Sequence, residues 1–87
     1  MLSDDDLVEI LRRFVIDAFL PGERPENLPA DLDLIQSGVL DSLALIETAS
    51  YLADLTGAEI EGYELTPENL GSLAAMAAFV RRRRAST

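Results

Sequence analysis

Few side chains in this 87-residue sequence can take part in covalent chemistry. Cysteine and histidine are both absent, which removes disulfides, thiolate nucleophiles, imidazole bases and the usual zinc ligands together. The sixteen carboxylates are spread along the chain, and a general acid and base pair needs a cleft that no segment announces. Among the hydroxyls, Ser42 stands apart, because the run Gly38-Val39-Leu40-Asp41-Ser42-Leu43 joins a loop-like segment to an apolar helical one. A serine at a helix N-terminus presents its hydroxyl beside free backbone N–H groups and the positive end of the helix dipole, so a phosphate ester there is tolerated and positioned. The same residues also read as a plain helix start, since Asp or Ser ahead of an apolar run is a common N-cap. A full capping box is missing, because Ala44 and Leu45 stand where Glu or Gln would be needed.

Two other patterns invite chemistry. Asp31-x-Asp33 has the spacing that opens a calcium loop, but Ile35 occupies the next ligand position and no glycine sits at the sixth place, so no metal is expected. Arg81 to Arg84 could touch nucleic acid or anionic lipid, yet the run falls in the last turns of a helix, where cations offset the dipole. A solvated helix end is the expectation. Ahead of that run three arginines face all sixteen acids, and the net charge is -9. Such a field repels phosphates and anionic membranes and favours partners with basic surfaces.

The elements that must hold these residues are helical. Hydrophobic residues make up 48% of the chain, enough for one core and too few for two, so one domain over residues 1–87 is expected. No stretch approaches the roughly 18 consecutive apolar residues of a membrane span, and Met1 to Asp6 carries three acids where a secretory signal would be basic. A cytoplasmic protein is the expectation. Ser3 followed by Asp4, Asp5 and Asp6 predicts an N-cap and a helix over about 4–19, with Leu7, Ile10, Leu11, Phe14, Val15 and Ala18 facing inward. Pro21-Gly22 stops it, and a long connection follows through Pro25 and Pro29 to Gly38, held across the bundle by Leu28, Leu32, Leu34 and Ile35. A second helix over about 42–56 ends at Gly57, burying Leu45, Ile46, Ala49, Leu52 and Ala53, with Leu43 and Glu47 toward the other side. Thr66-Pro67-Glu68 caps a short helix over 67–70, and a last helix over about 72–84 turns Leu73, Met76, Ala77, Phe79 and Val80 inward. No strand-like alternation appears. The fold class is all-α, three main helices and one short.

The segment Gly38-Val39-Leu40-Asp41-Ser42-Leu43 resembles the attachment motif of the acyl carrier protein family. The resemblance covers nearly the whole chain: the long loop before the motif, the helix after it, the Thr66-Pro67-Glu68-Asn69-Leu70 helix and the terminal helix fall where that family has them. It implies an acyl-carrier-like four-helix bundle that is not itself an enzyme and has no catalytic residues. It implies that a magnesium-dependent phosphopantetheinyl transferase esterifies Ser42 with 4'-phosphopantetheine from coenzyme A. The arm would then carry an acyl or aminoacyl group as a thioester, in fatty acid or secondary metabolite biosynthesis, supplying the thiol this chain lacks. The implied partners are that transferase, an acyl or aminoacyl ligase and downstream acyl-transfer enzymes, with no nucleic acid or membrane, and the implied state is a monomer.

In that family the acid before the serine and the apolar residue after it meet partner enzymes, roles that carry over to Asp41 and Leu43. Ile46 and Glu47 complete the expected recognition face, with Ile46 shared between that face and the core edge. Three departures bear on cargo. The second helix offers only Glu47 and Asp54 as acids, with Ala44, Ala53 and Leu55 where many fatty-acid-synthesis carriers are charged. Peptidyl carriers commonly have histidine where Asp41 stands. The extra residue in Gly38-Val39-Leu40-Asp41 is similar to discrete carriers that work with stand-alone ligases, D-alanyl carriers among them. Beside the carrier stand an unmodified acidic helical adaptor and, disfavoured by the missing His and Cys, a small acidic hydrolase.

Overall fold

Ser3 opens the first helix with a reciprocal cap: its Oγ accepts from the Asp6 N–H at 3.1 Å while the Asp6 carboxylate accepts from the Ser3 N–H at 3.2 Å. In the structure, a computed structural model that describes residues 3–85, this cap starts α1, Asp4–Phe19. A connection containing a 3-10 turn at Pro25–Asn27 leads to α2, Ser42–Thr56, which ends on Gly57 in the left-handed region at φ 71°. A second 3-10 turn, Gly62–Glu64, precedes α3, Pro67–Leu70, and α4, Leu73–Ala85, completes the described chain. No strand occurs among the described residues.

Helix α4 is the centre of the assembly, packing against α1, α2 and α3. The Cα radius of gyration, 11.9 Å, is that of a compact chain of this length, about 12 Å. Leu7, Leu11 and Val15 of α1 meet Leu73, Met76 and Val80 of α4, and Leu52 and Leu70 close the core from α2 and α3. The long connection contributes as fully as a helix does. Leu28, Leu34 and Leu40 are buried, Leu32 and Ile35 are half-buried, and Arg12 Nε reaches across to donate to the Leu28 carbonyl at 2.9 Å.

Several inward faces differ from the spacing-based expectation. On α2 the buried stripe is Ala44, Thr48, Ala49 and Leu52, whereas Leu45 and Ala53 are half-buried and Ile46 is 58% exposed. At about 100° per residue, Ile46 lies beyond the edge of the arc that Ala44, Thr48, Leu52 and Ala49 span, so it belongs wholly to the outer face and is not shared with the core. Thr48 is tolerated inside because its hydroxyl donates to the Ala44 carbonyl at 2.8 Å. On α1, Ile16 is buried and Ala18 is exposed, and Phe14 is half-buried, stacked on Tyr51 with centroids 4.1 Å apart.

The arginine run is not simply solvated. Arg83 is half-buried and donates to Glu64 Oε2 at 3.0 Å and to the Glu59 carbonyl at 2.7 Å. Arg81 pairs with Asp4 at 2.9 Å, and Arg82 donates to Asn69 Oδ1 at 3.1 Å. The end of α4 is therefore tied to the start of α1, to α3 and to the segment before it.

Candidate functional site

Ser42 is exposed because the chain is anchored on either side of it. Leu40 and Ala44 are 2% and 5% exposed, and between them Asp41, Ser42 and Leu43 all face solvent. Asp41 is the N-cap of α2: its Oδ1 accepts from the Ala44 N–H at 2.9 Å, and its carbonyl accepts the first helical bond, from the Leu45 N–H, at 2.9 Å. The N–H groups of Ser42 and Leu43 have no carbonyl within the helix to meet, so they remain at the positive end of the dipole. No acid occupies the first turn of α2. The Ser42 hydroxyl thus sits at the N-terminal end of α2, with Asp41 turned into its capping bond.

Leu43 is 65% exposed and, with Ile46 and Glu47, occupies positions three and four residues apart on the outer face. Leu43, Ile46 and Glu47 therefore share the outer face of the first two turns of α2, and Asp41 is exposed at the N-cap just before them. They make a small apolar surface with a carboxylate at each end.

The loop entering the site is itself organised. Gly38 adopts φ 84°, a left-handed conformation in which a side chain would be strained, and residues 33–40 close by hydrogen bonds onto Leu34. By spacing, Asp33 stands where a calcium loop would place a ligand. Its Oδ1 accepts instead from the N–H groups of Ile35, at 3.1 Å, and Gln36, at 2.9 Å. The available signal was an aspartate two residues before a turn, the ordinary Asx pattern. Among the described residues no cluster of His, Cys, Asp or Glu is arranged to hold a metal ion.

Two hollows lie away from Ser42. A groove of about 690 Å³ runs beside α1, with Arg13, Phe14, Asp17, Glu23 and Tyr51 among its walls. There the Asn27 side chain and the Arg24 backbone N–H donate to Glu23 and hold its carboxyl below the usual range. At the Arg82 and Arg83 end, Tyr63 is 81% exposed beside a hollow of about 420 Å³ floored by Phe79. Neither contains a residue expected to act. No helix among the described residues is long and apolar enough to cross a membrane. Comparison with models of known protein families and with curated proteins finds no match.

Proposed function

We propose that this chain is a discrete acyl carrier whose Ser42 receives 4'-phosphopantetheine and carries an acyl or aminoacyl group as a thioester. The observation that carries the reading is the Gly38–Leu43 motif with Ser42 exposed as the first residue of α2, between buried Leu40 and Ala44. In the transfer, a P–O bond forms to Ser42 Oγ, the pyrophosphate P–O bond of coenzyme A breaks, and adenosine 3',5'-bisphosphate leaves. The serine proton leaves to a base that the transferase supplies. The residues present suit such a group: Ser42 stands at the N-terminal, positive end of α2, and no acid shares the first turn.

The bound arm supplies the thiol that forms the thioester with the cargo. Leu43 and Ile46 flanked by Asp41 and Glu47 suit a partner surface that is apolar at its centre and basic at its rim. We assign that face to the transferase, to an acyl or aminoacyl ligase and to the acyl-transfer enzymes that follow. The exposed Leu43 and Ile46 also fit an adaptor that binds partners without modification.

Intact mass separates the two readings. After incubation with coenzyme A, magnesium and a broad-specificity phosphopantetheinyl transferase, the wild-type chain should gain one pantetheine phosphate and Ser42→Ala none. An unchanged wild-type mass would favour the adaptor, and a mass gain that persists in Ser42→Ala would remove Ser42 from the site.

A further inference from the structure

We propose that Asp33 is a positioning residue for the modification of Ser42, holding residues 33–40 in the closed turn that sets where α2 begins. This rests on the carrier reading of Ser42 and extends it to a residue outside the attachment motif.

The turn is built around Asp33 and Leu34. The Asp33 carboxylate accepts from the Ile35 and Gln36 N–H groups, and the Asp33 carbonyl accepts from the Ser37 N–H at 3.0 Å. The Gly38 N–H then donates to the Ile35 carbonyl at 3.1 Å, reversing the chain, and the Leu40 N–H donates back to the Leu34 carbonyl at 3.0 Å. Ser37 Oγ adds a bond to the same carbonyl at 3.2 Å. One bond leads outward: the Leu34 N–H donates to the Gly71 carbonyl, between α3 and α4, at 2.7 Å. Leu34, 0% exposed, is thereby fixed to the core by side chain and backbone, and it fixes Leu40, the residue before Asp41.

Asp33 is exposed, so its side chain contributes hydrogen bonds to the turn and nothing to core packing. It is the only carboxylate within residues 33–40. Without it the Ile35 and Gln36 N–H groups lose their acceptor, the turn opens more often, and the Leu40 N–H that locates Asp41 and Ser42 opens with it. Transfer to a serine oxygen is sensitive to such play, since a misplacement of about 1 Å can cost roughly 100-fold in rate. The face of Leu43, Ile46 and Glu47 starts after the helix has been capped, so docking is affected less than chemistry.

The test is the kinetics of pantetheine transfer to the full chain from coenzyme A, with magnesium and a broad-specificity transferase. Wild type, Asp33→Ala and Asp33→Asn are compared, together with amide hydrogen exchange at Gln36 and Leu40. Asp33→Ala should lower kcat about tenfold, leave KM within about twofold, speed exchange at both amides and keep the fold. Asp33→Asn retains an acceptor oxygen and should restore kcat. Wild-type kcat in Asp33→Ala, equal losses in both variants, or a rise in KM alone would overturn the positioning role. So would unfolding of Asp33→Ala, which would make Asp33 a stability residue. A wild-type chain that accepts no pantetheine would end the carrier reading and this inference together, whereas a modified wild type with an indifferent Asp33→Ala ends only the latter.

Discussion

Replacing Arg83 with methionine keeps an unbranched apolar stem near Phe79, over whose ring the guanidinium carbon lies 5.9 Å from the centroid, and removes the charge. The charge-assisted bonds to Glu64 Oε2 and to the Glu59 carbonyl are among those lost. Glu64 cannot simply turn to water, because its side chain is 11% exposed and its Oε1 accepts from the Glu61 N–H at 2.9 Å. Hydrogen bonds to charged groups contribute about 1.5–3 kcal/mol each. Stripping a buried ion of its partner costs about 3–5 kcal/mol. The Arg83 side chain is 29% exposed, and partial solvation of the pair lowers the expectation to about 2–3 kcal/mol. For a domain of this size each kcal/mol shifts Tm by about 4–8 °C, so a drop of about 10–20 °C is expected. Urea denaturation at 25 °C measures the loss directly. Adding Glu64→Gln to Arg83→Met should recover part of it, because a neutral amide needs no counter-charge, and the double-mutant cycle isolates that coupling. A loss under about 0.5 kcal/mol, the level of an unremarkable surface substitution, would refute a stabilising role for the Arg83–Glu64 pair and restore a solvated helix end.

Three further outcomes are expected. Leu43→Ala and Glu47→Lys should slow modification and loading while melting stays unchanged, with the charge reversal more sensitive to salt; wild-type rates in both would move recognition off this face of α2. Leu52→Ala, at a fully buried position, should cost about 2–5 kcal/mol, and Ile46→Ala no more than about 0.5 kcal/mol; the reverse order in urea denaturation would return Ile46 to the core. Glu23 titrates below the usual carboxylate range because Asn27 and the Arg24 N–H donate to it. Its contribution to stability is therefore present above the unfolded-state pKa and lost as pH falls through the folded one, and Asn27→Ala should raise the Glu23 pKa in an NMR titration; a pKa that stays in place would discount the Asn27 bond as its cause.

Helix ends were legible in the chain because caps and breakers act within a turn of where they stand. Ser3 with three following aspartates, Pro21-Gly22, Gly57 and Thr66-Pro67 each mark a boundary through their own backbone preferences. The inward residues of α4 were legible too, since charge takes over only after Val80.

Tertiary structure decided what spacing leaves open. Leu43, Leu45, Ile46, Ala49, Leu52 and Leu55 cover most of the circumference of α2, so periodicity alone does not select a buried side. The selection came from α4 and from Leu34 and Leu40 of the preceding loop, which sent Ala44 and Thr48 inward and left Ile46 outside. The long-range polar contacts were equally invisible. Arg83 meets Glu64 across 19 residues, and the Leu34 N–H meets a carbonyl that Gly71 supplies from between α3 and α4. Local propensities act over a single turn and carry no record of such pairings, which form only when burial brings distant segments together and each buried donor or acceptor must find a partner there.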